Sequence, residues 1–155
     1  MEPKILRGFF FFSLALFSFF LSPKIAVAYG HGVVVLDKRV SFEVLICQKE
    51  QEYTLGLGNR VALPKNQAML FPYFEQQPEE RLFWMKGMLF ALDILWIRDG
   101  RVVHIEKRLA PASFLAKNLP LYGRNILADA VLEVNANLTD QLKIEEGQSF
   151  EWKEN

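Results

Sequence analysis

A lysine and an aspartate with six residues between them sit in an otherwise apolar, aromatic stretch, Phe83-Trp84-Met85-Lys86 followed by Leu92-Asp93-Ile94. In a strand, Asp93 shares one face with Leu95 and Ile97 while Ile94 and Trp96 take the other, so either placement sets a carboxylate among hydrocarbon. A buried carboxylate requires donors or a positive partner; without them it takes up a proton. A hairpin between the two segments would bring Lys86 to Asp93, and Arg60 is a second candidate partner. Two readings stay open. In one, Lys86 and Asp93 form a structural ion pair, or Asp93 anchors the 87–92 turn by hydrogen bonds. In the other, the pair is the polar floor of a ligand pocket, with Glu133 added, or Asp93 acts as a general acid or base tuned by Lys86. Glu133 alternates with Leu132 and Val134, which taken alone reads as a solvent-facing position.

The aromatic residues around this stretch allow a second kind of site. Trp84, Trp96, Phe83, Phe90 and Tyr122 would stack on a sugar or a flat ligand if they faced outward, and would fill the core of a small domain if they faced inward. His104 lies beside Glu106 and Arg108, opposite Val103 and Ile105, and reads as a surface residue. Cys47 stands alone, so no intramolecular disulfide can form, and it reads as a small half-buried residue ending a strand. The chain has no CxxC, no HExxH and no histidine pair at ligand spacing, so no metal and no cofactor are expected.

The elements that must position these residues are short. Val40, Phe42, Val44 and Ile46 alternate as one face of a half-buried strand. Gln48 to Leu57 is polar and rich in helix formers, with Gly56 or Gly58 at its end. Met69 to Phe71, Phe83 to Lys86 and Leu92 to Arg98 read as strands. Asp99-Gly100 then marks a tight hairpin, because both central positions of a type I′ turn take positive φ. Arg101 to Lys107 returns as its partner. Glu75 to Arg81 and Pro111 to Asn125 read as loops, Ala130 to Val134 as a strand, Asn137 to Leu142 as a short capped helix, and Gln148 to Trp152 as a last strand. About eight short strands and two short helices, with turn signals every 8–12 residues or so, predict an all-β domain, either a compact β-sandwich or a partly open barrel.

Phe83 to Lys86, Leu92-Asp93-Ile94, Ala68-Met69-Leu70-Phe71 and Val131-Leu132-Glu133 together resemble the family known as domain of unknown function 192. The resemblance runs from about Val40 to Trp152 and implies a compact β domain, often preceded by a signal or an anchor. The chain departs from the family pattern in several places. Gly56-Leu57-Gly58 replaces Gly-Leu-Met, Tyr53 stands where an Arg is usual, and Gly87-Met88 follows the Phe-Trp-Met-Lys element in place of Asn-Thr. The loop matching Pro111 to Tyr122 has no cysteines. No established activity comes with the family.

Residues 1–28 read as an export signal: Lys4 and Arg7, then an apolar run from Phe9 to Leu21, then Ala26-Val27-Ala28 before a cleavage point. The alternative is an uncleaved N-terminal anchor, which would tether the domain to a membrane. Either way the domain, residues 29–155, is expected outside the cytoplasm, in the periplasm or at the outer membrane face. The leader holds three of the 18 basic residues and one of the 18 acidic ones, which leaves 15 against 17. That balance lacks the clustered basic face that nucleic acid demands, and does not favour an anionic membrane surface. The functional expectation is a non-catalytic binding or accessory module for a small ligand or a protein partner. Its rival is an enzyme of unrecognised type built on Asp93 and Lys86. Arg60, Trp84, Tyr122 and Glu133 are the further candidate site residues.

Overall fold

The structure, a computed structural model, describes residues 29–155, so the expected signal or anchor lies outside the described residues. Two antiparallel strands open it, β1 (Gly30–Leu36) and β2 (Val40–Ile46). They are joined through Asp37 and Lys38, both at positive φ. Helix α1 (Glu50–Leu55) follows. The buried Glu52 accepts hydrogen bonds from the backbone N–H groups of Gln48 (2.6 Å) and Lys49 (3.1 Å), which supplies acceptors to donors that the first turn leaves free. β3 (Gln67–Pro72) pairs parallel with β2, which requires a crossover; α1 and the loop after it provide one.

A short β4 (Glu79–Glu80) pairs only with β7 (Leu127–Ala128). The long hairpin of β5 (Leu92–Arg98) and β6 (Arg101–Leu109) turns at Asp99 (φ 51°) and Gly100 (φ 66°), as the Asp-Gly pair predicts. β8 (Ala130–Asn135), α2 (Leu138–Leu142) and β9 (Phe150–Glu154) complete the chain. The main sheet has seven strands in the order β6-β5-β8-β3-β2-β1-β9. Its two outer strands approach each other at one end: Val102 N–H donates to Gln148 O (3.0 Å) and Phe150 N–H to Gly100 O (2.8 Å). The sheet is thus curled into a half-barrel. The fold is all-β with two short helices, and of the two expected forms it takes the partly open barrel.

Curling gives the sheet two apolar faces. The inner face holds Val34, Phe42, Ile46, Leu70, Leu95 and Leu132, closed by Leu138 of α2. The outer face holds Met69, Phe71, Ile94, Trp96 and Val131, covered by Leu57, Met85 and Met88 from the connecting segments. Every residue of β5 except Arg98 is buried, and every residue of β8 except Asn135. A strand covered on both faces has no solvent side, so any polar residue in it requires a particular explanation.

Three readings of elements are corrected. Phe83 to Lys86 forms isolated bridges, Phe83 with Tyr122 and Lys86 with Ala112, rather than a strand of the sheet. The 75–81 loop contains β4. Helix α2 carries no side-chain cap from Asn137, which sits in the left-handed region (φ 68°).

Candidate functional site

Asp93 and Glu133 are the two acids in the doubly covered strands, and they lie on opposite faces. Asp93 falls with Leu95 and Ile97 on the inner face, and is fully buried. Its Oδ1 accepts a hydrogen bond from Arg108 N–H (2.8 Å); its Oδ2 accepts from Thr139 N–H (3.1 Å) and from the Thr139 hydroxyl (2.6 Å). Arg108 stands at φ 55°, where β6 carries an extra residue opposite Asp93. The carboxylate thereby pins a β-bulge and also caps the first turn of α2 from another strand. Both carboxyl oxygens thus accept hydrogen bonds, from β6 on one side and from α2 on the other.

Lys86 belongs to the outer-face covering, so the expected Lys86–Asp93 pair does not form. The sheet stands between them. The hairpin that would have joined them is absent because residues 83–87 pair with Ala112 and Tyr122 instead. Arg60 is not at Asp93 either; its guanidinium lies over the Tyr29 ring, 5.3 Å from the centroid. Tyr122 is half-buried and exchanges backbone hydrogen bonds with Phe83 (3.1 and 2.9 Å). Half-buried His104 lies between Glu146 (3.2 Å) and Glu106 (3.6 Å). No group of three or more His, Cys, Asp or Glu that could hold a metal occurs among the described residues.

Glu133 is different. It sits in β8 between Met69 of β3 and Ile94 of β5, on the outer face, and is only 5% exposed. Its Oε2 is buried without a hydrogen-bond partner. Burial holds its carboxyl far above the ordinary carboxylate range, at about 8. Above it opens a cavity of about 250 Å³ that Glu133 lines together with Tyr53, Phe71, Tyr73, Trp84 and Lys86. Lys86 makes no side-chain hydrogen bond or ion pair among the described residues, although it lines the same cavity. A larger groove of about 510 Å³, walled by Thr54, Leu55, Trp84, Lys86 and Phe114, adjoins it through those first four residues.

Local structure explains how the cavity stays open. Gly56 ends α1 at φ 51°, and a side chain there would meet the Phe71 ring at 3.4 Å and Glu133 Oε2 at 3.9 Å. Glycine therefore suits both the backbone turn and the approach to the carboxyl. The Tyr29 hydroxyl donates to Gly56 O (2.9 Å), and the Tyr53 hydroxyl donates to Pro72 O (2.5 Å), which leaves neither phenol for Glu133. Burial pushes the Tyr53 hydroxyl up to about 12 and raises the Tyr73 hydroxyl as well. The buried Cys47 thiol is raised by desolvation first, then by Glu133 and Glu52. It is the neutral, unreactive form of a thiol.

The family described as DUF192 (Uncharacterized ACR) matches residues 33–152. The chain belongs to the DUF192 family. Two solved structures are similar to it. A protein of unknown function from Novosphingobium aromaticivorans is 27% identical, with a TM-score of 0.66, over 79% of this chain and 84% of that one. A protein from Sinorhizobium meliloti, described as a candidate transcription regulator, is 23% identical, with a TM-score of 0.69, over 81% of this chain and 96% of that one. The second likeness is one of fold. No curated protein matches the chain.

Within this DUF192 chain, the elements that carry the family likeness divide between two tasks. Leu92-Asp93-Ile94 builds the bulge and the α2 cap. Phe71, Phe83, Trp84, Lys86 and Glu133 line the cavity. Sequence reasoning named Lys86, Trp84 and Glu133 as candidates but paired Lys86 with the wrong acid, and passed over Tyr53, Tyr73 and Gly56. A usable signal was present: Glu133 stands inside Ala130 to Val134, an otherwise unbroken apolar run, and such runs mark strands covered on both faces.

Proposed function

We propose that this chain is a non-catalytic binding domain that works outside the cytoplasm and takes a small ligand in the cavity over Glu133. The observation that carries the reading is a buried carboxyl oxygen with no partner, on a residue that lines an aromatic-walled space. An unsatisfied buried acceptor costs roughly 1–3 kcal/mol or more, and a ligand donor would recover it. Small-molecule sites combine such apolar walls with one or two convergent polar groups. The extracytoplasmic setting rests on the signal-like composition of residues 1–28. The transcription-regulator description of the Sinorhizobium protein finds no support in the near-neutral charge of residues 29–155, which lacks a basic stripe.

A thermal-shift screen of the purified protein against sugars, cell-wall fragments, nucleotides, amino acids and divalent metals tests this reading. A ligand at 100 times its Kd stabilises the fold by about 2.7 kcal/mol, a shift of several degrees. A shift that disappears in Glu133→Gln supports the site; hits indifferent to that change would move it elsewhere.

One observation also favours an enzyme. A carboxyl held near 8 in a cleft is suited to general acid work at neutral pH. That reading requires Glu133, not Asp93, as the acid. It predicts turnover of a bound compound that ceases in Glu133→Gln while binding persists.

A further inference from the structure

Resting on the binding reading above, a finer inference comes from the two polar groups that share the cavity. Glu133 presents an acid without a donor, and Lys86 an ammonium without an acceptor. They line one small space yet form no ion pair with each other. We propose that the cavity takes a small amino-acid-like zwitterion, its ammonium on the Glu133 carboxyl and its carboxylate on Lys86, with an apolar side group against Phe71 and Trp84.

The charges argue against the alternatives. A simple cation on Glu133 would leave the Lys86 ammonium unpartnered at the same cavity, and like charges there repel. A simple anion on Lys86 would leave the Glu133 oxygen unsatisfied. A molecule bearing an ammonium and a carboxylate on one carbon completes both groups, and each charge-assisted hydrogen bond is about twice as strong as a neutral one. The volume of about 250 Å³ lies below the roughly 300–1,000 Å³ of drug-sized sites, which fits a metabolite of amino-acid size. The adjoining groove past Thr54 and Leu55 leaves room for a longer side group. Because the Glu133 carboxyl is held near 8, it is largely protonated at neutral pH when the site is empty. An arriving ammonium favours its ionised form, so binding expels close to one proton. Of the titratable groups around it, Cys47 and Tyr73 feel the charge of Glu133, and Tyr53 and Lys86 line the same cavity.

The test is a thermal-shift survey of the twenty amino acids on the purified protein, followed by calorimetry with matched probes. For phenylalanine these are L-phenylalanine, phenethylamine, which lacks the carboxylate, and 3-phenylpropionate, which lacks the ammonium; leucine has the equivalent trio. The expected result is an amino acid bound at least about ten-fold tighter than either truncated probe, since hydrogen bonds to charged groups are worth about 1.5–3 kcal/mol. Lys86→Ala should erase the preference for the amino acid over its amine without weakening the amine, which loses a repelling charge. Glu133→Gln should weaken both, with the circular dichroism spectrum unchanged. Titration in phosphate and in Tris at pH 7 should differ by the heat of about one released proton. The inference is overturned if no amino acid binds, if the carboxylate probe or a sugar binds as well as the zwitterion, or if Lys86→Ala weakens the amine equally. A sugar hit that depends on Glu133 would overturn the zwitterion and leave the binding cavity standing. If no compound in any class gives a shift, both fall.

Discussion

Glu133→Gln should make the protein more stable above neutrality, and the size of the gain follows from the site. The Glu133 carboxyl is held at about 8 in the folded protein against an ordinary value of 4.5, because burial penalises the charged form. Below pH 4.5 both folded and unfolded chains carry the proton, and the residue has no effect on the balance. Between pH 4.5 and 8 the unfolded chain has released the proton while the folded one keeps it. The folded state then binds about one proton more, and stability falls by about 1.4 kcal/mol per pH unit. Over the whole window the loss is about 5 kcal/mol, complete once pH exceeds 8. Glutamine keeps the shape and cannot ionise, so its variant lacks this slope. Its amide does add two donors without partners, but that cost is the same at every pH. Other groups titrate in both proteins and cancel in the comparison. Urea unfolding followed by tryptophan fluorescence from pH 4.5 to 8.5 is the assay. The gap between variant and native protein should move in the variant's favour by about 3–5 kcal/mol across that range. Two stability curves that stay parallel to within about 0.5 kcal/mol would refute the reasoning, because they would mean that Glu133 titrates alike in both states.

Asp93→Ala should cost about 3–5 kcal/mol, because it strands Arg108 N–H, Thr139 N–H and the Thr139 hydroxyl, and thermal melting should fall by ~10–20 °C. In the same assay Lys86→Ala should cost less than about 1 kcal/mol; equal losses from the two would restore the ion pair that the sheet separates. Gly123→Ala should also destabilise by at least about 2 kcal/mol, since Gly123 stands at φ 84° and a side chain there would come within 2.5 Å of the Trp96 indole. A melting temperature unchanged by that substitution would show that the loop bearing Gly123 does not pack on Trp96 as described.

The local chemistry of turns and alternation made much of the fold legible. Asp99-Gly100 marks a turn that needs two positive φ angles in succession, and Val40, Phe42, Val44 and Ile46, which alternate in the sequence, are the four buried residues of β2. Gly56 stands where α1 ends. What stayed hidden depends on non-local geometry. Whether Lys86 faces Asp93 is decided by which segment covers which side of a curled sheet, and spacing along the chain says nothing of that. A hairpin was the economical reading of six intervening residues; instead Phe83 and Lys86, ahead of them, pair with Tyr122 and Ala112. The helix cap failed in a similar way. Asn137 is a good capping residue by type, but the acceptor at Thr139 N–H comes from Asp93, forty-six residues upstream of it.

The contrast between the two buried acids separates architecture from function more firmly than either acid does alone. Both stand in strands covered on both faces, so both lost their water when the protein folded. Asp93 was given three donors in return, and its position is explained once the bulge and the α2 cap are explained. Glu133 was given none at Oε2, although Tyr53 and Tyr73 lie at the same cavity. Tyr53 donates its hydroxyl to Pro72 instead. A core that only needed filling would be served better by leucine at that position, since replacing an unsatisfied buried polar group by an apolar one of similar shape removes its desolvation cost. Keeping the acid there makes physical sense if something outside the chain completes it, and the cavity above it provides the access such a partner needs.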